Sequence, residues 1–216
     1  MKTTLTLVLA CLIFAGCASE EQAEAVPETP QMSFFLTSMN PGDGADLGGL
    51  EGADEYCVAL ATEVGMGDSN WKAYLSTTTV NARDRIGTGP WHNAEGVEIA
   101  SDLDMLHGEN NLTKETQLNE RGEVVNGRGD DPNRHDILTG STNMGMSFGD
   151  DGTDYTCSDW TSSTEDGSAN VGHHDRTGGG ADPTSWNAAH GSRGCSLPNL
   201  QGTGGDGLFY CFVSNQ

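Results

Sequence analysis

The chain has 216 residues, 30 of them glycine, with 35% hydrophobic and only 6% aromatic residues. That length is enough for one domain with a real core. Ten Lys and Arg against 32 Asp and Glu leave a formal net charge of −22, which repels nucleic-acid phosphates and excludes nucleic acid as a partner; cations, neutral glycans and basic surfaces fit better.

The chain opens "MKTTLTLVLACLIFAGC", with Lys2 as a short positive region and Leu5 to Phe14 as an apolar run. The run is too short to span a bilayer and right for a secretion signal, taken as residues 1–16. Small Ala15 and Gly16 before Cys17 resemble a bacterial lipobox. The resemblance implies a lipid on Cys17 that ties the protein to a membrane. Ala18 stands where an aspartate would resemble an inner-membrane retention signal, so the outer membrane is expected, on its periplasmic or surface side. Residues 17–32, "CASEEQAEAVPETPQM", are acidic and carry no apolar periodicity. They read as a disordered tether, and the folded domain is expected over 33–216.

In chain order, "SFFLTS" (Ser33 to Ser38) reads as a strand. From Leu50 to Val64, Leu50, Ala53, Cys57, Leu60, Ala61 and Val64 recur at helical spacing, which puts Cys57 on a buried helix face. "WKAYLST" (Trp71 to Thr77) alternates like a strand. "SDLDMLHG" (Ser101 to Gly108) carries a Ser101/Asp104 pair resembling a capping box before a short helix. Glu109 to Gly152 is polar and rich in Gly, Asn and Asp, hence a long loop region with a turn at Asn126-Gly127. "DWTSS" (Asp159 to Ser163) and "LFYCFV" (Leu208 to Val213) read as the last strands. The pattern is α+β, without βαβ alternation.

With Cys11 in the signal and Cys17 under lipid, Cys57, Cys157, Cys195 and Cys211 remain. An even number in an exported domain predicts two disulfides, with three pairings open.

The segments "GADLGGLEGADEYC", "WKAYLST", "NARDRIGTGPW", "TCSDWTSS", "VGHHDR", "WNAAHGSRGC" and "GGDGLFYCF" occur in that order. Together they resemble the DUF1554 type of secreted bacterial domain, which is similar in turn to endostatin and the wider C-type-lectin-like fold. The resemblance covers 33–216. It implies a single domain with two small antiparallel sheets, about two helices and long loops. It also implies paired first and last strands, and two nested disulfides, Cys57–Cys211 and Cys157–Cys195.

The motif "VGHHDR" carries the titratable residues that stand out. In an extended segment His173 and His174 point to opposite faces, whereas His173 and Asp175 share one. His190, in "WNAAHGS", is the natural third member, and two imidazoles plus a carboxylate suit zinc with water in the fourth position. A hydrogen-bonded loop network competes with this reading. Calcium competes as well, because Asp and Asn cluster in Asn40–Gly49, Gly127–Asn133 and Gly149–Asp154. No EF-hand spacing occurs there. Arg83, Asp84 and Arg85 read as a salt-bridge corner. "GTGGDG" (Gly202 to Gly207) reads as a turn, since it leads into a strand and not a helix. Arg128-Gly129-Asp130 reads as a solvated loop.

The leading expectation is therefore a non-catalytic binding module on an envelope lipoprotein. Its ligand is a glycan, a peptide or another envelope protein, and Trp160, Trp186 and His190 form the candidate binding face, with core packing the favoured competing reading for the two tryptophans. A metal-dependent hydrolase built on His173, Asp175 and His190, with Asp159 or Asp182 as base, is the alternative. A purely structural envelope protein is the third.

Overall fold

The computed structural model describes residue 1 and residues 31–215. The signal segment after Met1, Cys17 and the tether up to Pro30 lie outside the described residues. The elements in chain order are β1 (Phe34–Leu36), α1 (Gly49–Glu63), β2 (Trp71–Ala73), a 3-10 turn (Ala82–Asp84), β3 (Trp91–His92) and β4 (Glu98–Ala100). There follow α2 (Leu103–Leu106), β5 (Asp136–Leu138), α3 (Cys157–Trp160), β6 (Asn170–His173), β7 (His190–Gly191), α4 (Leu197–Thr203) and β8 (Gly205–Val213).

The architecture is α+β. A six-stranded sheet runs β1-β8-β5-β6-β7 with β2 also on β8, and β3 and β4 form a separate pair. β8 organises the molecule. Its C-terminal half pairs antiparallel with β1, Phe35 opposite Cys211, and with β2, Ala73 opposite Cys211. Its N-terminal half pairs with β5 in parallel. The main sheet is thus mixed and larger than the two small antiparallel sheets expected. The reason lies in β5, a three-residue strand inside the stretch read as polar loop, too short to announce itself by alternation.

β8 is buried on both faces, and its side chains sort by parity. Phe209 and Cys211 join α1 in one core with Phe35, Trp71 and both disulfides. Leu208, Tyr210 and Phe212 join a second core with Phe34, Leu36, Tyr74, Trp91 and Trp186. On α1, Ala53, Cys57, Leu60 and Ala61 are the buried residues, the stripe that helical spacing requires. Cys57–Cys211 and Cys157–Cys195 are both formed, with sequence separations of 154 and 38. By loop-closure entropy they stabilise the fold by roughly 5 and roughly 4 kcal/mol, comparable to the whole stability of a domain.

Four helices stand where about two were expected, and two of them are single turns. α2 is capped by Asp102, which accepts from the Met105 N–H at 2.8 Å. Ser101 donates to Asp102 instead of capping the helix itself. α3 is left-handed: Cys157, Ser158, Asp159 and Trp160 have φ of 48, 55, 56 and 66°. The strand expected over Asp159–Ser163 therefore begins inside a left-handed turn, fixed by the Cys157 disulfide and by the Trp160 indole N–H donating to the Ser76 carbonyl at 2.7 Å. Arg85 pairs with Asp54 at 2.7 Å and donates to the Ala73 carbonyl, an internal ion pair, whereas Asp84 is exposed and accepts from Asn81, so the salt-bridge corner is formed by Arg85 with Asp54 and not within Arg83–Arg85. No helix among the described residues is long and apolar enough to cross a membrane.

Candidate metal centre

Strand order brings distant residues together at one end of the sheet. β5 and β6 are antiparallel, with Asp136 opposite His173. β6 and β7 are antiparallel, with Val171 opposite His190. The start of β5, the end of β6 and the start of β7 therefore meet. His173 and Val171 share a face of β6, so His190 falls on the side of the sheet that carries His173 and Asp136. His135, just before β5, curls in beside them and stacks on the His173 ring at a centroid distance of 4.4 Å.

Three imidazole nitrogens surround one carboxylate oxygen, and the ligand atoms of His135, Asp136 and His173 all lie within 4.8 Å of one another. Asp136 Oδ1 lies 3.1 Å from His135 Nε2, 3.3 Å from His173 Nε2 and 3.6 Å from His190 Nε2. The Nε2 atoms of His173 and His190 are 2.9 Å apart. Asp136 and His173 are 2% and 0% exposed at the side chain, His135 7% and His190 24%.

Each imidazole is turned by what stands behind it. His173 Nδ1 lies 2.8 Å from the Pro183 carbonyl and His190 Nδ1 3.1 Å from the Gly191 carbonyl. His135 Nδ1 faces Asp175 Oδ1 at 3.5 Å. A carbonyl only accepts, so in the neutral rings of His173 and His190 the proton sits on Nδ1 and Nε2 carries a lone pair, while His135 has a carboxylate on either side. The centre thus collects three imidazole nitrogens and a carboxylate. Neither oxygen of Asp136 makes a hydrogen bond among the described residues. A buried carboxylate without a donor costs several kcal/mol unless a cation compensates it.

The surroundings fit the same demand. The His173 imidazole is pushed down by burial. The facing Asp136 carboxylate, the Pro183 carbonyl and the charge of Asp175 outweigh this and raise its pKa above the ordinary histidine value. The backbone closes in without side chains. A Cβ on Gly178, at φ +145°, would sit 2.5 Å from His173 Cε1, and one on Gly204, at φ +141°, 2.9 Å from His135 Nε2.

Of the residues singled out in the sequence, His173 and His190 are in the cluster. Asp175 is not among the inward-facing atoms, because β6 ends at His173 and the chain turns, so the two-residue alternation that paired them stops. Asp175 stands behind His135, accepting from the Arg128 N–H at 2.6 Å and the Thr177 N–H at 3.1 Å. Burial pushes its carboxyl up. The facing His135 imidazole and those two N–H groups prevail, and its pKa falls well below the usual carboxylate range. His174 points away, its Nε2 on the Asn126 carbonyl at 3.0 Å.

His135 and Asp136 escaped the sequence reading. Their only signal was an adjacent His-Asp pair ahead of the short apolar run "IL". Trp160 and Trp186, proposed for a binding face, are 0% and 3% exposed and pack in the two cores, so they offer no face to a ligand. Asp159 accepts from the Thr78 N–H and hydroxyl, and Asp182 from the Thr184 hydroxyl. In the loops considered for calcium, Asp130 accepts from the Gly127 N–H and Lys114, and Asp151 from the Thr153 N–H and Tyr155. No protein-family model and no curated protein matches the chain.

Proposed function

We propose that the chain is an exported, lipid-anchored envelope domain of the C-type-lectin-like, endostatin-like type. In this reading it holds one divalent transition-metal ion, zinc foremost, between His135, Asp136, His173 and His190. The observation that carries this reading is the convergence of three imidazole Nε2 atoms on a buried carboxylate that makes no hydrogen bond among the described residues. Four ligands about 2.0–2.1 Å from zinc lie roughly 3.3–3.4 Å from one another on a tetrahedron. Four of the six separations are 2.9, 3.1, 3.3 and 3.6 Å, close to that value, and His135, Asp136 and His173 are the three whose ligand atoms all lie within 4.8 Å of one another. Three imidazoles and one carboxylate suit zinc better than calcium, which takes six to eight oxygens.

His190 is the fourth candidate beside His135, Asp136 and His173; with all four bound no position stays open, the pattern of structural sites, whereas a three-residue set keeps one for water. The hydrolase reading built on His173, Asp175 and His190 loses Asp175, which stands behind His135, and a non-catalytic binding module, toward a glycan or protein ligand, is the reading preferred. The disulfide between α1 and the last strand, the bridge nested within it and the pairing of β1 with β8 are what the family resemblance implies, and they support the finer fold assignment. The two disulfides agree with an oxidising compartment.

The test is metal content. The full chain, exported in a bacterial host and purified without chelator, is expected to carry near-stoichiometric zinc by mass spectrometry. His135→Ala and His190→Ala are each expected to lose it. Wild-type protein that stays metal-free after dialysis against zinc would overturn the reading and leave the cluster as a proton-sharing network. Calcium retained in both variants would move the metal to the acidic loops.

A further inference from the structure

We propose that Asp175 is the positioning residue of this centre: it fixes His135 through Nδ1 and makes the surface loop 127–131 follow metal loading. This rests on the reading of the cluster as a metal site.

His135 is the ligand with the loosest support. His173 and His190 each have a backbone carbonyl within 3.1 Å of Nδ1. His135 Nδ1 is buried and makes no hydrogen bond, and the acceptor it faces is Asp175 Oδ1 at 3.5 Å. A cation that draws Nε2 inward makes Nδ1–H a stronger donor, and a carboxylate behind it sets the tautomer and the ring plane.

The same carboxylate has a second task. The Asp175 side chain is 4% exposed. Its Oδ2 accepts from the Arg128 N–H at 2.6 Å, and the loop backbone packs directly on it. A Cβ on Gly127 would sit 2.6 Å from Oδ2 and 3.1 Å from the Asp175 Cβ. On its outer side the loop is closed by Lys114 and the Gly127 N–H, both on Asp130. One buried carboxylate thus stands between an inward ligand and an exposed loop, and whatever orders His135 orders the other end.

The experiment uses the full chain as wild type, Asp175→Asn and Asp175→Ala, each checked for both disulfides by mass and for a cooperative melt. Zinc affinity is measured by competition with a chromophoric chelator. Hydrogen exchange is followed in peptides covering 126–132, with zinc and without. In the wild type, zinc is expected to slow exchange in that loop. Asp175→Ala is expected to bind zinc about 10–100-fold more weakly, with loop exchange no longer responding. Asp175→Asn keeps an acceptor for the Arg128 N–H and loses the charge, so its affinity falls while the loop stays protected. Wild-type affinity in both variants, or a wild-type loop indifferent to bound zinc, would overturn the proposal. Wild type that binds no zinc overturns the metal reading itself and the proposal with it, an outcome the first titration separates from the rest.

Discussion

At the scale of single residues, the centre is defined as much by what is missing from side chains as by what is present. Gly204 and Gly178 lie against the imidazoles of His135 and His173 at distances no Cβ tolerates, both at positive φ. Gly204→Ala would push into His135 Nε2 and the Asp136 carboxylate, the atoms aimed at the ion. We expect it to weaken zinc binding by at least about 10-fold, in the range seen when the support of a ligand is lost, and to cost about 1–3 kcal/mol from overpacking. Chelator competition and urea unfolding measure the two effects, and unchanged zinc affinity would argue against the assigned centre. His173 and His190 were legible because they stand in short motifs with a spacing argument behind them. His135 and Asp136 were not, because their role depends on β5 pairing with β6 across 37 positions, and side-chain period says nothing about which strand pairs with which. Asp175 was misplaced by one shell, since alternation was carried past the point where the strand ends.

At the scale of elements, the legible ones have strong local signals. α1 has four buried residues on one stripe, and β8 an unbroken apolar run. α3 has neither. Its four residues sit in the left-handed region, which costs an L-residue roughly 1–2 kcal/mol each. The turn persists because Cys157 is tied to Cys195, Trp160 is buried, and Asp159 holds the Thr78 N–H and hydroxyl. Ser158 is the exception: it is exposed, at φ 55°, and its hydroxyl makes no hydrogen bond among the described residues. Ser158→Gly removes the Cβ penalty at the expense of a freer unfolded chain, about 0.5–1 kcal/mol. The balance predicts a gain of about 0.5–1 kcal/mol, read as a higher urea midpoint at unchanged slope. A loss of stability would mean that the turn is not left-handed in solution.

At the scale of the whole molecule, the covalent and the proposed metal cross-links divide the work. All four bonded cysteines lie in the core on the α1 face of β8. The Cys157–Cys195 bridge closes the segment that holds β6 and β7, whereas β5 and the loop before it have no covalent tie, and the ion would join β5 to β6 and β7. Binding to the folded state alone stabilises by mass action, about 4.1 kcal/mol at a free zinc concentration 1,000 times Kd. For a domain of 150–250 residues each kcal/mol is worth roughly 2–4 °C in Tm. Zinc in that excess should therefore raise Tm by about 8–16 °C over the chelated protein, and the chelated protein should still melt cooperatively, because both disulfides and both cores persist. Reduction acts on the other half: it removes constraints worth roughly 5 and roughly 4 kcal/mol, enough to unfold a marginally stable domain outright. Scanning calorimetry on four samples, with and without zinc and with and without reductant, separates these contributions. Identical Tm values with zinc and with chelator would sink the division, since an ion that adds no stability is not holding that end of the sheet together.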